Sequence, residues 1–536
     1  MIFTRKKKDI ERLKASFGKM KNESFNFELI EQYFRRKDNS GAFQILSDKT
    51  CHDLDFLELF MFVDRTSSRV GQHYLYNQLR TIPYDTSQSG LHEELIKRFT
   101  NETEFRIDTQ KQLEKLKDYE AYYLSSLFQE EHLEPPKWFF IIRLLSLTSL
   151  LSLILGLFNS QFFFLLLGVV IVNMGIHYWN KKNLNQYLGS IPQLLRLNNI
   201  AFNLHKDHYF RKLNPDLSSS LAIINQVRNR MSFFQLEARL QGDLEAAFWM
   251  MLEIFKILFL LEPLLLFGVL KRLDSKRKEI EDVFSFVGLV DSLLSIASMR
   301  KGLAVYCVPI INEGENHIVA KQVYHPLIID CIPNSISVVD KSILLTGSNM
   351  SGKTSFIRTI GLNIITGLTI NTCFAESMTI PRARIFSAIR ISDDLMNDRS
   401  YYFEEVLTIK EMIQNSANEK PNIFLLDEIF KGTNTIERIS AGKAVLSSLC
   451  KNNSVVLVST HDIELVDMLY DNYELYHFSE IVGDRNVDFD YKLKTGKLKN
   501  RNAIRILQIN DYPDSVIAEA TEISKTLDEN YKSQKK

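Results

Sequence analysis

The spacing of hydrophobic and polar positions changes several times along this chain, and each change predicts a different element. From Trp138 to Leu157 the residues are almost wholly apolar, with Arg143 as the single charge, and from Phe162 to Tyr178 they are apolar with none. Each run is long enough to cross a hydrocarbon core as a helix. Only Phe158-Asn159-Ser160-Gln161 lies between them, which predicts a tight helical hairpin whose ends return to one side. The alternative, a pair of buried core helices, normally leaves a polar face for water, and neither run has one. A third apolar stretch, Phe248 to Leu270, carries Glu253, Lys256, Glu262 and Pro263. It reads as a partly buried core or interfacial helix rather than a span.

Farther along, the apolar runs shorten. Ser342–Thr346, Ile423–Leu426 and Ser454–Thr460 have the length and composition of buried strands, and Ser355 to Thr369 follows the first of them with a helical pattern. Alternating strands and helices predict an α/β domain in the second half, while the first half reads as helical. The expected division is a helical core over 1–136, the hairpin over 137–182, a second helical part over 183–320, the α/β domain over 321–501 and a C-terminal helical segment over 502–536.

Charge adds two constraints. Lys+Arg and Asp+Glu are equal at 65 each in 536 residues, so the chain has no overall positive field to steer it onto nucleic acid, and any such contact must be local. Lys137 precedes the hairpin and Lys181 and Lys182 follow it, which places both ends on the cytoplasmic side of a prokaryotic inner membrane. Trp138, Tyr178 and Trp179 stand where aromatic belts form, and Arg143 is near enough to that edge to snorkel. Cys51, Cys307, Cys331, Cys373 and Cys450 are scattered, which argues against a zinc site or a disulfide framework. Arg5 to Lys8 opens an amphipathic helical pattern, not the apolar run of a signal peptide; anionic lipid and DNA are both open as its contact.

The candidate chemistry begins at Gly347-Ser348-Asn349-Met350-Ser351-Gly352-Lys353-Thr354. It fits G-x-x-x-x-G-K-[ST] and sits between a strand and a helix, where glycines let successive N–H groups face a phosphate at a helix N-terminus. Lys353 is then expected to neutralise β/γ-phosphates, and Thr354 to hold Mg²⁺. Asp427 and Glu428 end the second strand, with Asp427 expected on Mg²⁺ and Glu428 on the attacking water. His461 follows the third strand, on the side where open α/β sheets bind ligands.

The order Thr346 to Thr354, Ser392-Asp393-Asp394-Leu395 through Arg399-Ser400, Asp427-Glu428-Ile429-Phe430-Lys431-Gly432-Thr433-Asn434 and Ser459-Thr460-His461 resembles the ATPase domain of the MutS DNA mismatch-repair family. Asn349-Met350 inside the glycine loop is distinctive. Tyr324-His325-Pro326-Leu327 is similar to the family's domain entry, Leu57 to Thr66 and Gly71 to Leu79 to its helical core, and Asn502 to Asp528 to its C-terminal dimerising segment. The resemblance implies an ABC-class ATPase using ATP and Mg²⁺, acting as a homodimer in which Ser400 of one subunit completes the site of the other. It also implies that Gly432 and Thr433 couple the two sites. Ser400 precedes a helical pattern (Tyr401, Glu404, Glu405, Thr408), so it stands at a helix N-terminus suited to a phosphate.

The chain departs from that family in several places. Its core-like segment begins near Cys51, which leaves too few residues for a mismatch-reading domain with a Phe-x-Glu wedge or for a connector domain. The hairpin occupies the place of the long levers, and Asn397-Asp398-Arg399 replaces a small-residue run. The aromatic that stacks on adenine has no counterpart near Cys331. Lys206, Arg211, Lys212, Arg228, Arg230 and Arg239 read either as DNA-phosphate contacts or as a solvated helix face. Two functions are therefore expected as alternatives: a membrane-anchored DNA-binding ATPase, or a membrane assembly or signalling ATPase that does not bind DNA. A transporter is disfavoured by the lack of a Leu-Ser-Gly-Gly-Gln signature.

Overall fold

Gly71 and Gly288 are placed where an added Cβ would collide with Asp291 and with Tyr74. They are seen in a computed structural model that describes residues 2–534 apart from Thr86, Leu133, 227–245, Glu315, Asp340, Asn349, 391–400, 418–419, Asn452, 483–486 and 499–502. The chain divides into two units, one made of Met1–Gly41, Val63–Arg80 and Asp85–Leu303, the other of Ala42–Phe62, Thr81–Tyr84 and Ala304–Lys536.

The first unit is helical. Helix α1 (Arg69–Arg80) packs along a later helix, α6 (Arg277–Gly302). The two come close because Gly71 faces Asp291 and Gly288 faces Tyr74; a Cβ on Gly71 would stand 2.2 Å from Asp291 Oδ2. Asp291 accepts hydrogen bonds from the N–H groups of Ser67 and Ser68, both at 2.8 Å, and from the Ser68 hydroxyl at 2.5 Å. The Ser68 hydroxyl in turn accepts from Gly71 N at 2.9 Å, capping α1. Burial pushes the Asp291 carboxyl up to about 6 in spite of these donors.

The two apolar runs form helices α2 (Phe139–Gly156) and α3 (Gln161–Leu204), packed side by side. The turn falls where the sequence puts it, but α3 continues far beyond the apolar run, through Pro192. Trp138 and Trp179 meet at the open end with ring centroids 5.5 Å apart. The third apolar stretch is not one helix. It splits into α4 (Ala246–Phe259) and α5 (Leu261–Asp274) at Leu260, which has φ 47°. Pro263 explains the break, since its ring would collide with the carbonyl four residues earlier if the helix ran on.

By length and composition α2, α3 and α6 could each cross a membrane. However, 83% of the apolar stretch of α6 is buried, against 22% and 17% for α2 and the first part of α3. The α6 apolarity is therefore core, and that of the hairpin faces outward.

Among the described residues the second unit holds two larger sheets, both with mixed strand directions, and two short antiparallel pairs, Gln44–Ile45 with Thr81–Ile82 and Glu480–Val482 with Val487–Phe489. A four-stranded sheet is built from β1 (Ile310–Asn312), β2 (Ile318–Val323), β3 (Asn334–Val338) and β5 (Ser377–Pro381) in the order β1-β5-β2-β3. A six-stranded sheet contains β4 (Ser342–Thr346), β6 (Arg384–Ala388), β7 (Asn422–Asp427), β8 (Ser454–Ser459), β9 (Tyr473–His477) and β10 (Lys494–Thr495) in the order β10-β9-β4-β8-β7-β6. All neighbours are parallel except β9 and β10. Ile343, Leu344 and Leu345 are fully buried in β4, as are Phe424, Leu425 and Leu426 in β7. Each such side chain contributes about 1.5–3 kcal/mol on burial. Helix α7 (Lys353–Ile370) follows β4. The C-terminal segment forms helices at Ala503–Ile509 and Asp514–Gln534.

Gly71→Ala should force the Asp291 carboxylate off its donors and destabilise the first unit by about 2 kcal/mol. Hydrogen exchange in Arg69–Arg80 should then quicken; unchanged protection would show that the contact can yield without cost.

Candidate functional site

Parallel pairing fixes where the chemistry gathers. Ser459, the last residue of β8, is in register with Leu345 on one side and Asp427 on the other. The three strands thus end together, and the residues that follow them share one edge.

The glycine loop leaves β4 through three left-handed residues: Gly347 at φ 149°, Met350 at 68° and Gly352 at 105°. A Cβ on Gly347 would lie 2.8 Å from both Phe478 O and Ser351 Oγ, so only glycine fits. Lys353 begins α7, and its buried ammonium donates to Gly347 O and Ser348 O, each at 2.9 Å, and lies 3.4 Å from His461 Nε2. Burial lowers the Lys353 pKa, opposed by Glu428 and Asp427. The Ser348 hydroxyl bonds Glu480 Oε2 at 2.8 Å, while Ser351 Oγ is buried with no hydrogen-bond partner among the described residues. With the N-terminus of an 18-residue helix beside it, the loop is shaped to receive an anion.

Thr354 Oγ1 donates to Asp427 Oδ2 at 2.8 Å, and Asp427 Oδ1 accepts from the Ser459 hydroxyl. A hydroxyl and a carboxylate held together offer hard oxygen ligands of the kind that suit Mg²⁺. Glu428 has φ 53°, and its N–H bonds Ser459 O at 3.0 Å. That turn aims the carboxylate at His461 Nε2, 2.8 Å away, and at Lys431 Nζ, 2.7 Å away. Burial works to raise the Glu428 pKa, yet the hydrogen bonds from His461 and Lys431 hold it down to about 2.

Of the residues named from the sequence, Gly347, Ser348, Met350, Ser351, Gly352, Lys353, Thr354, Asp427, Glu428 and His461 converge here. Asn349 and Ser400 lie outside the described residues, as do Asn397 to Arg399, Arg228, Arg230 and Arg239. Helix α8 (Tyr401–Ser416) starts directly after Ser400. It is tied to the acidic loop: Glu405 Oε1 accepts from Phe430 N at 2.5 Å, and a Cβ on Gly432 would lie 2.9 Å from Tyr402 Cβ. Asp53 holds the segment ahead of it, accepting from the Ser387 hydroxyl at 2.6 Å and from the N–H groups of Ile389 and Arg390.

A cavity of about 540 Å³ opens beside the loop, lined among others by Ile329, Cys331, Asn334, Met350, Phe478 and Tyr491. Tyr491 supplies an aromatic ring against Gly352 that sequence reading did not find. Asn334 fixes it, donating to Tyr491 O at 3.0 Å and accepting from Leu493 N at 2.8 Å. Tyr491 follows the glycine loop in the chain by more than a hundred residues, in a polar stretch with no periodicity, so no local signal marks it.

A strand, glycine loop and helix, with a buried lysine facing a paired carboxylate and hydroxyl across parallel strand ends, define an α/β unit built to hold a phosphate-like group. Residues 343–528 match the family model of MutS domain V. The chain is 28% identical over 272 residues to the DNA mismatch repair protein MutS of Aquifex pyrophilus, covering 48% of this chain and 31% of that protein. It is 29% identical over 334 residues to MutS protein homolog 4 of Homo sapiens, covering 58% and 34%. DNA mismatch repair protein MSH3 of Kluyveromyces lactis is 28% identical over 274 residues, 48% of this chain and 26% of that protein. The chain thus spans about a third or less of the length of these relatives, and the similarities support a MutS-family protein.

The native Glu428 carboxyl titrates near 2, below its ordinary 4.5. Its ionised form therefore adds stability that is complete above pH 4.5 and is lost as the pH falls toward 2. Thermal unfolding followed from about pH 6 to pH 3 should show a shallower decline for Glu428→Gln than for the unaltered chain. Equal slopes would mean that the contacts with His461 and Lys431 do not form in solution.

Proposed function

We propose that this chain is a membrane-anchored MutS-type ATPase working as a homodimer with composite ATP sites. The observation that carries the reading is the convergence of Lys353, Thr354, Asp427, Glu428 and His461 on one strand edge. The loop N–H groups and Lys353 would bind the β/γ-phosphates, with the base in the cavity beside Tyr491. Thr354 and Asp427 would hold Mg²⁺, which supplies charge neutralisation for the phosphates when bound.

A carboxylate that titrates near 2 is a weak proton acceptor at neutral pH. Glu428 would accordingly orient and polarise the attacking water through hydrogen bonding rather than remove its proton in the ground state. His461, hydrogen-bonded to Glu428 and next to Lys353, would sense the γ-phosphate. Ser400 of the opposite subunit would complete the site, and the lock between the acidic loop and α8 would report nucleotide state to that serine.

The hairpin Trp138 to Tyr178 would anchor the chain in the cytoplasmic membrane, with the ATPase in the cytoplasm. Its outward apolar surface supports this: Phe140, Leu144, Leu147, Phe164, Leu167 and Ile171 are each more than half exposed.

The relatives named for DNA mismatch repair favour DNA as the cargo. A second reading, an assembly or signalling ATPase without DNA, draws support from the described basic residues. Lys206 and Lys212 lie over the rings of Phe202 and Tyr209, and Arg211 donates to His205 O.

Lys353→Ala should abolish ATP binding measured with a fluorescent analogue, and tight binding by that variant would sink the assignment. Glu428→Gln should still bind ATP, dimerise more stably, and turn over about 10²- to 10⁴-fold more slowly. A gel shift on plain, mismatched and branched duplexes at low salt separates the two cargo readings. Phosphate contacts are strongest there, so no shift would favour the reading without DNA.

A further inference from the structure

We propose that residues 246–274 form a re-entrant helical hairpin that enters the bilayer from the cytoplasmic side and reaches about the middle of α2 and α3, with one face of α4 against lipid. This rests on the reading of Trp138 to Tyr178 as a membrane anchor.

The outer face of α4 is apolar and bare. Met250, Met251, Ile254 and Phe255 are 64, 69, 57 and 51% exposed. They form one stripe, and because α4 packs against both α2 and α3 that stripe continues the apolar surface of the anchor. Water is a poor solvent for such a surface, whereas hydrocarbon fits it.

The depth of the tip follows from one side chain. Asn173 of α3 donates to Ser149 Oγ at 3.2 Å and to Leu258 O at 2.9 Å. Ser149 lies near the midpoint of α2, so the end of α4 stands at mid-hairpin. Irregular backbone is tolerated at that depth only when protein surrounds it and satisfies its polar groups. Leu260, where the chain reverses, is fully buried, and the Leu258 carbonyl released by the break at that residue is taken by Asn173.

The charges Glu253, Lys256 and Glu262 are paired with one another and with side chains of α3. Lys256 Nζ is 2.6 Å from Glu253 Oε2 and 2.6 Å from Glu262 Oε1. His177 Nε2 and Lys181 Nζ reach Glu253 Oε1 at 3.1 and 2.9 Å. Two carboxylates thus face two ammonium groups, and the Lys256, Glu262 and His177 side chains are at most 3% exposed. His177, Glu253 and Glu262 stand close enough to share a metal ion, but Lys256 already supplies the positive charge between the carboxylates. A balanced cluster of this kind is what a low-dielectric surrounding demands. It sits beside Tyr178 and Trp179, at the aromatic edge. Helix α5 then returns past the start of α2, where Phe267 and Phe139 meet edge to face at 5.2 Å, and ends with Lys271 and Arg272 exposed, the charge expected on the cytoplasmic side.

The test uses the unaltered full chain in phosphatidylcholine–phosphatidylglycerol vesicles. It is photolabelled once with a lipid-soluble phenyl-diazirine and once with a charged, water-soluble diazirine, and labelled residues are mapped by mass spectrometry. Met250 to Phe259 should prefer the lipid-soluble probe by about tenfold, as the α2 residues do, while Lys271 to Asp274 should show the reverse. Labelling of Met250 to Phe259 by the aqueous probe, with α2 still labelled from lipid, would overturn the re-entrant hairpin and leave the anchor intact. Protection from both probes would overturn it as well, by showing that protein covers the face. Aqueous labelling of α2 itself would remove the anchor reading and this proposal with it.

Discussion

The in-register ending of three parallel strands is the constraint on which the candidate site depends. Strand β7 ends on Asp427, β8 is followed by His461 and β4 by the glycine loop, so a one-residue slip would move Asp427 or His461 by more than 3 Å along the strand direction. The pairing of Ser459 with both Leu345 and Asp427 keeps His461 next to Lys353 and Glu428, and Asp427 next to Thr354 and Ser459. That register is held by apolar side chains that take no part in the chemistry. Phe424, Leu425, Leu426, Val456, Leu457 and Val458 are all fully buried, and slipping one strand would exchange the faces they fill.

Much of this unit is legible in the sequence because buried parallel strands are short continuous apolar runs, and nothing else in the chain competes with them. The strands appear within a residue of where their apolar runs place them, and α7 starts at the loop lysine. Other features depend on distant pairings that leave no local mark. The sequence order does not reveal that Ala42–Phe62 folds with the second unit, where Asp53 fastens the backbone at Ile389 and Arg390. Tyr491 is equally silent, an aromatic in a polar segment placed by an asparagine far upstream. In the third apolar stretch Pro263 is visible, but its effect falls at Leu260, because the clash is with the carbonyl one turn earlier.

Two carboxylate clusters show how the fold uses burial in opposite ways. Asp291 is fully buried, and burial outweighs its hydrogen-bond donors and the charge of Lys21, so its affinity for a proton rises. Glu428 is partly buried between a histidine and a lysine, and its affinity falls. The first arrangement ties a helix start to a neighbouring helix. The second keeps a negative charge at the strand edge, between His461 and Lys431.

Helix α3 runs without interruption from the tip of the apolar hairpin to Leu204 deep in the helical unit, a rod about 66 Å long. Its far end, with Leu194, Leu195, Leu197, Ile200 and Ala201 buried, is clamped in the core, while its near end lies among groups with no polar face. A stiff rod clamped at one end turns a small tilt of the core into a displacement several times larger at the other. Pro192, at the boundary between the two regimes, lacks the N–H that would brace it. The hairpin is therefore coupled to the helical unit as a pointer is to its pivot, and the proline is where that coupling can bend.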